Sequence, residues 1–113
     1  MWITKELLLL ILALGSVAVY AQPLHHIVLV SFSETSTEVQ RQRIIDDSLT
    51  LLRAIPGVTL VTAGGKARAD RPVHIADFDV GIYVQLENEQ ALDAYSAHPN
   101  HQQLLRNNKA AIA

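Results

Sequence analysis

Hydrophobic and polar residues alternate most regularly between residues 77 and 86. The apolar positions are Phe78, Val80, Ile82, Val84 and Leu86. The positions between them are Asp77, Asp79, Gly81, Tyr83 and Gln85. A period of two residues predicts a strand with one face on a core of helices. Because the other face is only partly polar, we expect it to meet the sheet of a second copy of the chain.

Two further stretches predict strands. Residues 25–32, "HHIVLVSF", form a nearly continuous apolar run with β-branched side chains, which is typical of a buried strand. Residues 57–65, "GVTLVTAGG", predict a shorter strand that ends at paired glycines. The polar residues 66–74 that follow contain a proline and predict an exposed loop.

A helix is predicted between the first two strands. Thr35 and Glu38 have the spacing of a capping box, which predicts a helix start. Ile45, Leu49 and Leu52 then recur at the i, i+4, i+7 positions of one helix face. Pro56-Gly57 predicts the end of this helix, because proline disfavours helical geometry at the residue before it.

The chain after the third strand is also helical in pattern. A helix is predicted over residues 89–98, Pro99 interrupts it, and a short helical piece follows to the end of the chain. The order is therefore β-α-β-β-α. This order predicts an α+β fold, an antiparallel sheet with its helices on one face.

The first 21 residues have the pattern of a secretory signal peptide. Lys5 precedes an uncharged run over Leu7–Ala21, which is shorter than the ~20 apolar residues of a membrane-spanning helix. Val19 and Ala21 occupy the −3 and −1 positions of a cleavage site before Gln22. We predict a signal peptide over 1–21, a mature domain over 22–113 with no stable membrane span, and a periplasmic or secreted destination. An uncleaved anchor is the alternative.

Charge and cysteine content narrow the range of partners. The formal net charge is −2 with no run of basic residues, which argues against a nucleic-acid partner. There is no cysteine, so no disulfide can stabilise the domain. A domain of this size buries only about two-thirds of its unfolded surface, and pairing with a second copy would bury more. We therefore predict a homodimer.

Several short motifs, taken in order, resemble a known family. They are His26 before the first strand, Ile55-Pro56-Gly57-Val58, Tyr95, and His98-Pro99-x-His101. In this order the sequence from residue 26 to residue 108 resembles the stress-responsive A/B barrel (Dabb) domain. The resemblance implies a ferredoxin-like fold that pairs into a dimeric α+β barrel. Members usually carry a final strand after the second helix, but this chain ends in "KAAIA" with no β-like run, so we expect three strands per chain.

The resemblance also implies candidate site residues. A plant member of the family is a polyketide cyclase in which a histidine acts as base and a tyrosine assists it, and these positions match His101 and Tyr95. The family's first-strand histidine matches His26, whereas Val80 stands where the cyclase has another histidine. Our candidate ligand-binding residues are His26, Tyr83 and His98.

The chemistry of these residue types fits a proton transfer. Histidine has an unperturbed pKa of about 6.5, so a neutral imidazole is available as a base near neutral pH. His101 could remove a proton α to a carbonyl while the Tyr95 hydroxyl binds the developing oxyanion, provided that the break at Pro99 bends inward. The alternative is structural: His98 caps a helix that begins at Pro99, and Tyr95 and His101 fill space between helix and sheet.

Metal and cofactor roles have less support. His98 and His101 are three residues apart, and Asp93 or His26 could add a ligand, but zinc needs three or four such ligands in one place. We predict no metal, and no motif indicates haem, flavin or another cofactor. The sequence thus favours an exported Dabb domain with a small-molecule pocket or a stress-related role. The alternative is a polyketide-cyclase-like enzyme.

Overall fold

A computed structural model of the chain describes residues 22–67 and 71–113. Its elements are β1 (Leu24–Val30), α1 (Glu38–Asp47), a π-helical segment (Ser48–Leu52), β2 (Val58–Gly65), β3 (Val80–Leu86), α2 (Glu89–Ala97) and α3 (Pro99–Asn108). The order confirms the predicted α+β fold. The predicted signal peptide over 1–21 lies outside the described residues.

The sheet has the order β1-β3-β2, and both pairings are antiparallel. Its central strand β3 buries every second residue, as the alternation predicts. The buried residues are Val80, Ile82, Val84 and Leu86. They form one core with buried helix residues such as Ile44, Leu52 and Leu104, so the helices cover this face of the sheet.

The opposite face, which we call the outer face, is defined by the strand register. Its residues are His25, Ile27 and Leu29 of β1, Gly81, Tyr83 and Gln85 of β3, and Leu60, Thr62 and Gly64 of β2. Ile27 is 66% exposed, Leu29 47% and Leu60 46%. Three large apolar side chains on one sheet face are therefore open to solvent in the single chain.

Phe78 lies on this outer side, although the alternating pattern predicts it on the core side. A β-carbon built on Gly81 would lie 3.8 Å from the Phe78 ring and 3.9 Å from Leu29. The physical reason is that β3 begins only at Val80, so the two-residue period does not extend back to Phe78.

The start of α1 differs from the predicted capping box by two residues. Thr37 caps the helix: its hydroxyl accepts from the Gln40 backbone N–H at 3.2 Å. The Gln40 side chain in turn accepts from the Thr37 N–H at 2.8 Å. The prediction of Thr35 with Glu38 was wrong because the Thr37–Gln40 pair has the same spacing and Thr35 lies in the preceding turn, 3.4 Å from the Ser33 hydroxyl.

The carboxyl end adds a bridge and no fourth strand to the described sheet, as expected from "KAAIA". Ile112 forms an isolated antiparallel bridge with Phe32. The Ser33 N–H donates to the Ala111 carbonyl at 2.8 Å, and the Ala113 N–H donates to the Ser31 carbonyl at 2.9 Å. In residues 22–67 and 71–113, no helix combines the length and apolar character that crossing a bilayer requires.

Candidate functional site

A cavity of about 390 Å³ lies between β1, the α1 layer and α3. Its apolar wall comes from both layers and the carboxyl end: Val28, Val30, Ile44, Leu52, Ile82, Leu104 and Ile112. Its polar lining includes His26, Tyr95 and His101. Within the described ranges, no Asp, Glu, Lys or Arg lines this cavity.

Tyr95 lies between two imidazole rings. The ring centre of His26 is 5.7 Å from that of Tyr95, in an edge-on arrangement, and the ring centre of His101 is 4.8 Å from it. Tyr95 is only 3% exposed. The structure therefore brings together three of the predicted site residues, from β1, α2 and α3.

The break between α2 and α3 makes this convergence possible. α2 ends at Ala97, His98 is extended with ψ 141°, and Pro99 begins α3. His98 Nδ1 accepts from the Asn100 backbone N–H at 3.0 Å, so His98 is the N-cap of α3. This is the capping role that the structural alternative gave it, and His98 does not line the cavity.

Asn100 connects the start of α3 to the π-helical segment. Its side-chain amide donates to the Leu51 carbonyl at 2.9 Å. This bond joins the first turn of α3, which carries His101, to the layer that supplies Leu52 to the cavity. Sequence reasoning missed Asn100, because one amide next to a proline carries no specific signal.

A backbone carbonyl sets the protonation pattern of His101. His101 Nδ1 lies 3.1 Å from the Ser96 carbonyl oxygen, which can only accept. Nδ1 therefore carries the hydrogen in the neutral ring, and Nε2 keeps its lone pair. The Gln102 amide donates to the same carbonyl at 2.9 Å.

Burial shifts the pKa of two members of the cluster. The pKa of His26 lies below 6.5, first because burial disfavours its charged form and second because a charge on His101 repels it. Burial raises the pKa of Tyr95 to about 12. At neutral pH His26 is therefore neutral, and Tyr95 keeps its proton and can donate it in a hydrogen bond.

Tyr83 lies on the outer face, away from the cavity. Its hydroxyl and His25 Nδ1 share a hydrogen bond, and the two rings stack with centres 5.9 Å apart. The structure therefore does not bring Tyr83 together with the other candidate residues. In the same described ranges, His, Asp and Glu side chains form no group of three that could hold a metal ion.

Solved structures with the same architecture define the class as a ferredoxin-like α+β domain. A dimeric ferredoxin-like protein of unknown function from Thermobifida fusca is 22% identical, with a TM-score of 0.69 over 87% of this chain and 89% of that chain. A Dabb family protein from Mesorhizobium loti is 21% identical, with a TM-score of 0.63 over 80% of this chain and 86% of that chain. A hydroxynitrile lyase from Passiflora edulis is 14% identical, with a TM-score of 0.69 over 80% of this chain and 84% of that chain.

The sequence then gives the family. Residues 24–112 match the family described as Stress responsive A/B Barrel Domain, Dabb. The protein belongs to the Dabb family. A comparison with curated proteins gives no match.

Proposed function

We propose that this protein is an exported, homodimeric Dabb domain whose cavity binds a small uncharged carbonyl compound and transfers a proton. His101 acts as the base and Tyr95 as the donor to the oxyanion. The observation that carries the proposal is the position of Tyr95, buried in the cavity and in contact with the rings of His26 and His101.

The two roles follow from the protonation states. His101 Nε2 accepts the proton from the carbon next to the carbonyl, and the electron pair of that C–H bond moves to form an enolate. The Tyr95 hydroxyl, held in its protonated form by burial, donates a hydrogen bond to the enolate oxygen. The enolate carbon then regains the proton from His101, or it attacks a second carbonyl and closes a ring, as the polyketide-cyclase alternative requires. In the second case the new alkoxide takes the proton from His101.

The cavity lining indicates the ligand class. A charged ligand would lose hydration against the apolar lining, which is costly, and among the residues that the structure describes no Asp, Glu, Lys or Arg side chain lines the cavity to compensate it. A volume of about 390 Å³ is near the lower end of the range for ligand pockets, about 300–1,000 Å³. These properties favour a small apolar molecule whose carbonyl lies at the His-Tyr end.

Relatives support parts of the proposal by analogy. The similar protein from Passiflora edulis is a hydroxynitrile lyase, so this fold can carry an enzyme. At 14% identity it says nothing about the substrate of this chain. The Thermobifida fusca protein is dimeric, which supports a homodimer through the exposed outer face.

Export rests on the sequence. The uncharged run after Lys5 and the small residues before Gln22 support a signal peptide and a periplasmic or secreted destination. Amino-terminal sequencing of the secreted or periplasmic protein would check cleavage before Gln22.

The second candidate is a non-catalytic Dabb domain with a stress-related role. It is favoured by the hydrogen bonds of His98 and Asn100, which give the α2–α3 junction a structural purpose. In that case the same cluster only fills the space between helix and sheet.

Exchange of the α-protons of phenylacetone in D₂O, followed by proton NMR, separates the two candidates. We expect the wild type to accelerate the exchange and His101→Ala to return it to the buffer rate. Tyr95→Phe should lower the rate by about 10²–10³-fold, the usual effect of losing one oxyanion donor. The control is Val39→Ser, an exposed position on α1 outside the cavity, which should exchange like the wild type.

If phenylacetone and other small uncharged ketones exchange no faster with wild type than in buffer, while His101→Ala changes only the melting temperature, the non-catalytic candidate is correct.

A further inference from the structure

Two large apolar side chains project from the loop between β2 and β3. Val73 is 86% exposed and Ile75 is 72% exposed. The loop is held at both ends of this stretch: the His74 N–H donates to the Arg71 carbonyl at 3.1 Å, and Lys66 Nζ donates to the Ala76 carbonyl at 2.7 Å. These hydrogen bonds hold the backbone around Val73 and Ile75, whose side chains face solvent.

The loop is continuous with the outer face of the sheet. A groove of about 400 Å³ contains Val73, Ile75 and Phe78. A second groove of about 500 Å³ runs over the outer face past Ile27 and Gly64, and it shares Phe78 with the first. Loop and sheet therefore form one mainly apolar surface, and Lys66, Ala67 and Phe78 line both grooves.

This surface is open at Gly64 and carries exposed apolar side chains beside it. A β-carbon built on Gly64 would contact no atom within 4 Å. Val73 and Ile75 are exposed in the adjoining groove. A two-fold dimer places the same patch of both copies in contact, so these side chains can pack at the open part of the partner's sheet.

The size of the sheet indicates that it cannot form the interface alone. Three strands at about 4.8 Å spacing and seven residues at about 3.4 Å each cover roughly 14 Å by 24 Å, a footprint of about 340 Å². A stable interface usually buries about 800 Å² per partner. Side chains that project from the sheet add buried area beyond this flat footprint, and the loop can add more.

We propose that the loop residues Val73 and Ile75 pack against a second copy of this chain and extend the dimer interface beyond the sheet. This inference rests on the proposed homodimer. It assigns the loop a role that the sheet-to-sheet pairing does not require.

The experiment measures the dimer dissociation constant by sedimentation equilibrium, with circular dichroism to confirm folding. The double variant with Val73→Ser and Ile75→Ser should raise the dimer dissociation constant at least about tenfold, equivalent to about 1.4 kcal/mol, because two apolar side chains lose their burial against the partner. Val39→Ser is the matched control: Val39 is 78% exposed but lies on α1, in the helix layer. It should change the constant less than about twofold.

Ile27→Lys on the outer face separates the two proposals. If Ile27→Lys dissociates the dimer and the loop variant does not, the loop inference is wrong and the sheet-to-sheet dimer stands. If the wild type is a monomer at all concentrations, both the dimer and the loop contact are wrong, whereas the exchange experiment judges the chemistry of the cavity separately.

Discussion

Tyr95 and His26 show how burial sets protonation at the scale of single residues. Tyr95 has a pKa raised to about 12 by burial, so at neutral pH it donates and does not act as a base. The pKa of His26 is lowered first by burial and second by repulsion from a charge on His101, so His26 stays neutral at neutral pH. A neutral His26 and a protonated Tyr95 can therefore lie beside the base His101 in an apolar cavity.

The lowered pKa of His26 predicts acid sensitivity. The unfolded chain takes up this proton near pH 6.5, whereas the folded protein takes it up only at lower pH. The unfolded state thus binds more protons between these two values, so the free energy of unfolding falls as the pH drops from 6.5 through the folded pKa. Urea unfolding between pH 8 and pH 5 should show this loss in the wild type.

His26→Gln should reduce this pH dependence, because glutamine does not titrate. Val39→Ser is the control: Val39 is exposed on α1 and its replacement removes no titratable group, so the variant should follow the wild type. Equal pH dependence in wild type and His26→Gln would contradict the assigned environment of His26.

The site residues differ in how far the sequence could predict them. The alternation of β3 already places Tyr83 on the face opposite the core, where the structure has it. The sequence could not distinguish the two faces of β1, because residues 25–32 are apolar almost throughout. The contact between Tyr95 and His101 depends on the extended backbone of His98, which the residue types leave undetermined.

At the scale of elements, the two possible caps of α1 give a direct comparison. Thr37→Ala removes the hydroxyl that accepts from the Gln40 N–H, and we expect it to lower the free energy of unfolding by about 1 kcal/mol. Thr35→Ala removes a hydroxyl outside the helix, and we expect a change within about 0.5 kcal/mol. Chemical denaturation of both variants measures the difference.

The reverse ranking, with Thr35→Ala the more destabilising variant, would show that the helix begins two residues earlier. The sequence alone could not choose, because Thr35–Glu38 and Thr37–Gln40 both have the spacing of a capping box. The turn before the helix selects Thr37 as the N-cap. In this turn the Ser36 N–H donates to the Ser33 carbonyl at 3.0 Å.

The sequence pattern did not predict the π-helical segment either. Ser48 and Thr50 donate their hydroxyls to the carbonyls of Ile44 and Asp46, at 2.7 Å and 2.9 Å. Such bonds compete with regular helix geometry, but the same residues also occur in ordinary helices. The apolar spacing of 45, 49 and 52 therefore predicted a helix without showing that it widens at Ser48.

For the whole molecule, the element order and the one-sided sheet could be predicted because each rests on a long pattern. The β-α-β-β-α order follows from the alternation in β3, the apolar run of β1 and the breaks at Pro56 and Pro99. The sequence predicted a small-molecule pocket near Tyr95 and His101, but it could not predict the lining and size of the cavity, because these depend on the distances between three layers. Its lining from β1, the α1 layer and α3 makes ligand binding a property of the assembled domain.

A titration of methyl-labelled protein with phenylacetone, followed by NMR, tests most directly whether the cavity between sheet and helices binds a small molecule. We predict saturable shifts of the methyl signals of Ile44, Ile82 and Leu104, which line the cavity from the helices and the sheet. The signals of Ile27 and Val73, on the outer face and its loop, should not move. Shifts confined to Ile27 and Val73, or no saturable shift at the cavity methyls, would contradict a small-molecule site between sheet and helices.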